Sequence, residues 1–180
     1  MNETTNQPTH GAVITTKVSV NEAYAYWRDL KHMPLFMKEI QSVEVIDAKT
    51  SRWTAKLPKG KPVQWTSRII EEQTNRKIAW ESVEGSDVKT RGAVLFHPAS
   101  GGRGTVVELD LEFNPPGGLI GEVVAKLTGG MAEMGALINL HRFKSAIETG
   151  EVPTTEGQSS GRDETEESET LNISQKRASR

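Results

Sequence analysis

The sequence predicts an α+β domain in which an antiparallel sheet packs against a long C-terminal helix. Between residues 43 and 113, short segments of alternating hydrophobic and polar residues follow one another and are separated by turn-forming residues. This pattern is typical of an antiparallel meander. The residues from 120 to 147 then carry apolar side chains at helical spacing, and the sheet is the only candidate surface for such a helix.

The N-terminal part of the chain predicts one strand followed by two short helices. Residues 1–10 are predicted to form a flexible arm, and residues 11–20 have the β-branched content of a first strand. Asn21 is predicted to cap the following helix, because its side chain can accept a hydrogen bond from the first turn. Residues 35–40 are too apolar for an exposed connection, so we expect another element to cover them.

Six further strands are predicted, and the last of them, at residues 105–113, has the clearest alternation. Each strand is expected to turn one face toward the core, since successive side chains of a strand point to opposite sides of the sheet. The predicted inward residues of the last five strands are Trp53, Ala55 and Leu57; Val63, Trp65, Ser67 and Ile69; Ile78, Trp80 and Ser82; Val94 and Phe96; and Val107, Leu109, Leu111 and Phe113.

The C-terminal helix has two apolar stripes that do not share a phase, and Gly129 and Gly130 lie between them. Two glycines in a helix interior cost about 2 kcal/mol relative to alanines, which predicts a break or kink there. A helix that is apolar on both sides is the alternative. The side that carries Met131, Met134 and Ile138 then lines a cavity, meets a partner or belongs to an ordinary core.

Composition excludes several classes of function. The chain has no cysteine and no apolar run of membrane-spanning length, so Cys-ligated metals are excluded and a cytoplasmic protein without stable membrane insertion is predicted. Residues 151–180 are predicted to form a disordered acidic tail. Because the tail carries net negative charge, the remainder is close to neutral, which argues against nucleic-acid binding.

Several segments resemble one family closely. They are AYAYWRDLKHMPLFMKEIQSVEVID, VQWTSRI, IAWESVEG, HPASGGRGTVVELDLEFNPPGGLIG and RFKSAIETGEVPTTEGQ. They are similar to bacterial polyketide cyclase/dehydrase-type proteins of the START-like (SRPBCC) superfamily, which are related to coenzyme Q-binding START-type domains. Over residues 11–150, the resemblance implies a helix-grip (START/pollen-allergen-like) fold, with a curved antiparallel sheet around the long C-terminal helix. It also implies a cavity that binds apolar molecules.

Candidate site residues follow from the apolar pattern together with this resemblance. His32, His141 and Arg68 are the candidates for acid–base catalysis, although no spacing among them specifies a reaction. No metal ligands and no cofactor are predicted, because the four histidines are scattered. The predicted ligand-binding residues are Phe36, Trp53, Trp65, Trp80, Phe96, Met131 and Met134.

Three functions are consistent with these observations. The first is binding or transport of a hydrophobic small molecule, such as a lipid, quinone or polyketide-like compound, in an internal cavity. The alternative is a cyclase/dehydrase-type enzyme that acts on a polyketide-like substrate in the same cavity. The third is a stress or regulatory interaction module that uses the tail and the surface from Met131 to Ile138. The apolar or small character of the predicted inward positions favours binding, and the oligomeric state is left open.

Overall fold

The computed structural model describes residues 10–56, 62–86, 88–114 and 132–151. Seven strands and three α-helices lie in these ranges. The strands are β1 (His10–Thr16), β2 (Ile40–Val45), β3 (Thr50–Ala55), β4 (Val63–Gln73), β5 (Lys77–Ser82), β6 (Lys89–Pro98) and β7 (Thr105–Asn114). The helices are α1 (Val20–Arg28), α2 (Met33–Phe36) and α3 (Ala132–Thr149).

The strands form one curved antiparallel sheet in the order β1-β7-β6-β5-β4-β3-β2. Strands β2 to β7 pair in chain order, so they form the predicted meander. Strand β1 returns to the far edge and pairs with β7. The α+β architecture predicted from the sequence is therefore confirmed, with the predicted order of strand, two short helices, six strands and long helix.

The start of α1 differs from the prediction. Ser19, and not Asn21, is the N-cap: its Oγ accepts a hydrogen bond from the Glu22 N–H, and the Glu22 carboxylate accepts one from the Ser19 N–H. This reciprocal capping box satisfies two backbone donors at the helix start. The first strand correspondingly ends at Thr16, four residues before the predicted end.

The core lies between one face of the sheet and the three helices. Phe143 of α3 is fully buried and makes edge-to-face contacts with Tyr26 and Trp27 of α1 and with Phe36 of α2. Val94, Phe96, Val107 and Leu109 meet this cluster from the sheet, as their alternation predicted. The opposite face of the sheet carries cross-strand ion pairs instead, including Arg68 with Glu81.

The described part of α3 shows which of its side chains pack on the core. Leu140 and Phe143 are fully buried, whereas Ile138 is 39% exposed. Helix α3 packs against β1, β7 and α2, and Leu140 and Phe143 belong to the predicted apolar stripe of Leu137, Leu140, Phe143 and Ile147. His10, the last residue of the predicted arm, is instead the first residue of β1. The rest of that arm, the predicted break at Gly129 and Gly130, and the predicted tail beyond residue 151 lie outside the described residues.

Candidate functional site

A cavity of about 130 Å³ lies between the sheet and the helices. Since one water molecule needs about 10 to 15 Å³ by the same measure, the cavity has room for a ligand of on the order of ten non-hydrogen atoms. Its wall is mostly apolar. Trp27, Leu30, Met33, Met37 and Ile40 line it from the helical segment and its connection to β2; Trp53, Trp65, Ile69, Ile78, Trp80 and Leu111 from the sheet; and Gly135, Ala136 and Asn139 from α3.

Two tryptophans on neighbouring strands form one side of the cavity. Trp53 of β3 is paired in register with Trp65 of β4, and their rings are stacked with centroids 6.0 Å apart and planes inclined by 15°. The Trp53 Nε1–H donates to Ser51 Oγ at 2.9 Å. Because this hydrogen bond satisfies the indole N–H, the Trp53 ring offers its apolar surface to the cavity.

The sheet side of the cavity is called the cavity floor. Trp80 belongs to this floor and lies over Gly92. A Cβ atom on Gly92 would lie only 2.7 Å from Trp80 Cζ2, so the absence of a side chain at this position gives the indole its place on the sheet. The two residues are direct neighbours on β5 and β6. A glycine inside a strand often marks such a close approach of another group.

A charged cluster closes the edge of the cavity at Arg28. The Arg28 Nε and the Tyr24 hydroxyl both donate to Glu72 Oε1 at 2.6 Å, and Arg28 Nη2 donates to the Ala48 carbonyl at 2.7 Å. Partial burial alone would raise the pKa of Glu72, but these hydrogen bonds outweigh it and hold the pKa below its ordinary value. Burial, followed by the contact with Glu72, raises the pKa of Tyr24. The Arg28 guanidinium is thus engaged in hydrogen bonds within the protein.

The structure distributes the predicted ligand-binding residues between wall and core. Trp53, Trp65 and Trp80 line the cavity. Phe36 and Phe96 do not lie on the described wall, because both are buried in the aromatic cluster of the core, where Trp27 contacts both rings. Met131 and the side chain of Met134 lie outside the described residues.

The three predicted catalytic residues lie away from the described cavity wall. His32 stacks on Tyr26 with ring centroids 4.0 Å apart, and its Nδ1 lies 3.0 Å from the Tyr26 carbonyl, which holds the imidazole against α1. His141 is exposed on α3. Arg68 lies on the outer face of the sheet, where it pairs with Glu81 at 3.2 Å. Alternation explains the position of Arg68, since its neighbours Ser67 and Ile69 point inward.

Several wall residues were not predicted. Ser51 precedes the predicted start of its strand by one residue, and Thr90 precedes the predicted start of β6, so both were missed because these strands begin earlier than expected. Glu39 and Asn139 bring further polar groups to the wall. Within the described ranges, no group of three His, Asp or Glu side chains is arranged to hold a metal ion.

Comparison with known families identifies the chain. A family model described as polyketide cyclase / dehydrase and lipid transport matches residues 16–134. The chain belongs to this family. None of the helices described by the structure has the length and hydrophobicity needed to span a bilayer. A comparison with curated proteins found no match.

Solved structures of family-like proteins share the fold over most of this chain. A Deinococcus radiodurans protein is 33% identical, with a TM-score of 0.63, and the alignment covers 80% of this chain and 99% of that protein. A START superfamily protein from Mycobacterium smegmatis has 16% identity and a TM-score of 0.61, and the alignment covers 78% of this chain and 97% of that protein. The Zhui aromatase/cyclase from a Streptomyces species has 13% identity and a TM-score of 0.58, covering 81% and 98%. These similarities confirm the helix-grip fold.

Proposed function

We propose that the protein binds or carries a hydrophobic small molecule in the cavity between the sheet and the helices, without chemical conversion. The single observation that carries this proposal is the cavity wall itself, where Trp53, Trp65 and Trp80 face an open space, whereas Phe36, Phe96 and Phe143 are buried in the core. Large apolar surfaces facing an open cavity gain about 25 cal/mol per Å² when a ligand covers them, before the costs of association.

The matching family includes lipid transport in its description, which supports the same proposal. The state of Arg28 on the described wall also supports it, because its guanidinium is engaged by Glu72 and the Ala48 carbonyl. A ligand therefore meets few ionic groups that would require a charged partner. Binding is expected to depend on apolar contact area, with a small number of polar contacts that fix orientation.

The test compares wall and core substitutions in a titration with N-phenyl-1-naphthylamine, a neutral probe whose emission rises in apolar surroundings. Trp53→Leu removes part of the wall and is expected to weaken binding about tenfold, which corresponds to about 1.4 kcal/mol of lost contact. Phe96→Leu is the matched control, because Phe96 is buried in the core and is not on the described wall. Equal affinity of wild type and a folded Trp53→Leu variant would refute binding at this wall.

A second candidate is a cyclase/dehydrase-type activity in the same cavity, and one observation favours it. Glu39 is one of the wall residues, and a carboxylate beside a bound polyketide-like substrate can accept a proton as a general base. Under this alternative, Glu39→Gln would leave ligand affinity almost unchanged and would abolish turnover. Unchanged product formation by Glu39→Gln would exclude that role for Glu39.

A further inference from the structure

Four hydroxyl side chains stand next to one another across neighbouring strands on the inner face of the sheet. Ser51 of β3 is in register with Ser67 of β4, which is in register with Ser82 of β5. Thr90 of β6 continues the row, since its N–H donates to Ser82 Oγ at 3.0 Å. With strands about 4.8 Å apart, this hydroxyl row crosses about 14 Å of the sheet. Ser51, Ser67 and Thr90 line the cavity.

The hydroxyl row lies between two apolar groups of the cavity wall. On one side of the row, Trp53 lies two residues from Ser51 on β3 and Trp65 lies two residues from Ser67 on β4. These two tryptophans are paired with each other. On the other side, Ile69 lies two residues from Ser67 on β4 and Trp80 lies two residues from Ser82 on β5. Ile69 and Trp80 are also paired. Because two residues of a strand span about 7 Å, each apolar group begins about 7 Å from the hydroxyl row. The polar part of the wall is thus flanked by apolar surface on both sides.

Ser67 is the buried member of the row whose hydroxyl makes no hydrogen bond with a described residue; the Thr90 hydroxyl also makes none, but Thr90 is only half-buried. The Ser51 hydroxyl accepts from Trp53, and the Ser82 hydroxyl accepts from Thr90. Ser67 is only 5% exposed, yet no residue in the described part of the chain donates to its hydroxyl or accepts from it. Ser67 lines the cavity, so its hydroxyl can reach a ligand held there. A hydroxyl that is buried without a partner costs about 1 to 3 kcal/mol.

We infer that the hydroxyl row is a neutral polar subsite, centred on Ser67, for a carbonyl or phenolic oxygen in the middle of an otherwise apolar ligand. This inference rests on the proposed function. The oxygen belongs in the middle of the ligand, because apolar wall lies on both sides of the row. It is uncharged, because hydroxyls offer no opposite charge and a buried ion without one is unfavourable by several kcal/mol.

A pair of ligands with the same skeleton tests the subsite. Benzophenone carries a carbonyl between two phenyl rings, and diphenylmethane carries a methylene there. Isothermal titration calorimetry measures both dissociation constants for wild type and for Ser67→Ala. The ratio compared is the dissociation constant of diphenylmethane divided by that of benzophenone. The loss of one neutral hydrogen bond is expected to reduce the relative preference for benzophenone about fivefold, with the affinity for diphenylmethane almost unchanged. Because the ratio is compared between variants, the difference in hydration free energy between the two compounds cancels.

Two further variants keep the test decisive. Ser67→Cys is nearly the same size and a weak hydrogen-bond donor, so it should also lower the ratio, and it replaces the alanine variant if that one fails to fold. Ser42→Ala, at an exposed position on β2, should leave the ratio unchanged. If wild type binds both compounds and the ratio is unchanged in folded Ser67 variants, the subsite is refuted and the proposal of cavity binding is unaffected. If wild type binds neither compound, both proposals fail.

Discussion

Gly92→Ala tests the arrangement of the cavity floor most sharply. An added Cβ would lie 2.7 Å from Trp80 Cζ2, 2.8 Å from the Asp110 carbonyl oxygen and 3.0 Å from Leu111 Cδ2. Carbon atoms at optimal separation are about 3.5 to 4.0 Å apart, so neighbouring groups must move. Overpacking of this kind costs about 1 to 3 kcal/mol. The lower entropy of the unfolded alanine chain offsets about 0.4 to 1 kcal/mol, so the middle of the two ranges leaves a net destabilisation of about 1.3 kcal/mol.

Urea denaturation followed by far-ultraviolet circular dichroism measures this cost without relying on tryptophan emission. The same substitution is then made in a Trp80→Leu background, where the closest obstacle is gone and only the contacts with Asp110 and Leu111 remain. We expect the cost of Gly92→Ala to fall by about 1 kcal/mol there, which is a coupling typical of residues in contact. A cost that is the same in both backgrounds, or a wild-type stability for Gly92→Ala, would refute the placement of Trp80 over Gly92.

Three other predictions concern the helix cap, the charged cluster and the cavity wall. Ser19→Ala should lower the free energy of unfolding by about 1 kcal/mol, since it removes the capping box, whereas Asn21→Ala should change it by less than about half as much; chemical denaturation of both variants distinguishes the two caps. Glu72 has a pKa in the folded protein below its ordinary value of 4.5, so the folded state binds fewer protons and the stability that Glu72 contributes is present above that pH and lost as the pH falls through the folded value. Stability measured from pH 6 to pH 3 should therefore fall less steeply in Glu72→Gln than in wild type, and equal slopes would contradict the hydrogen-bonded cluster. Trp80→Ala should weaken binding of the naphthylamine probe beyond its effect on folding; undiminished affinity in a folded variant would place Trp80 outside the site.

The sheet was predictable because each strand has one buried and one solvated face. Alternation alone identified Trp65, Ser67 and Ile69 as inward residues of β4, and the structure confirms this. The same rule separates Arg68, on the outer face, from its inward neighbours. Strand ends were less predictable, since Ser51 and Thr90 are small polar residues that interrupt the apolar pattern even though they face inward. Their place in the hydroxyl row depends on strand register, which pairs residues far apart in the sequence.

The helices show the limits of sequence patterns more clearly. The residues 131, 134 and 138 have the same spacing as the residues 140, 143 and 147, so periodicity could not decide which stripe meets the core. Tertiary packing decides it, because Phe143 fits among the aromatic rings of α1 and α2. Chemical type was also a poor guide to position: His32 has the most versatile side chain for acid–base chemistry, yet it is stacked on Tyr26 and held by a backbone carbonyl.

Native mass spectrometry of the purified protein, followed by organic extraction and identification of what co-purifies, tests the central claim most directly. We expect one apolar molecule of modest size per chain, or uptake of one such molecule when the empty protein is incubated with lipids, quinones and polyketide-like compounds. The bound fraction should fall in Trp53→Leu and persist in Phe96→Leu. A protein that stays empty across this panel, or one whose binding is insensitive to every wall substitution, would contradict the claim that this cavity is the functional site.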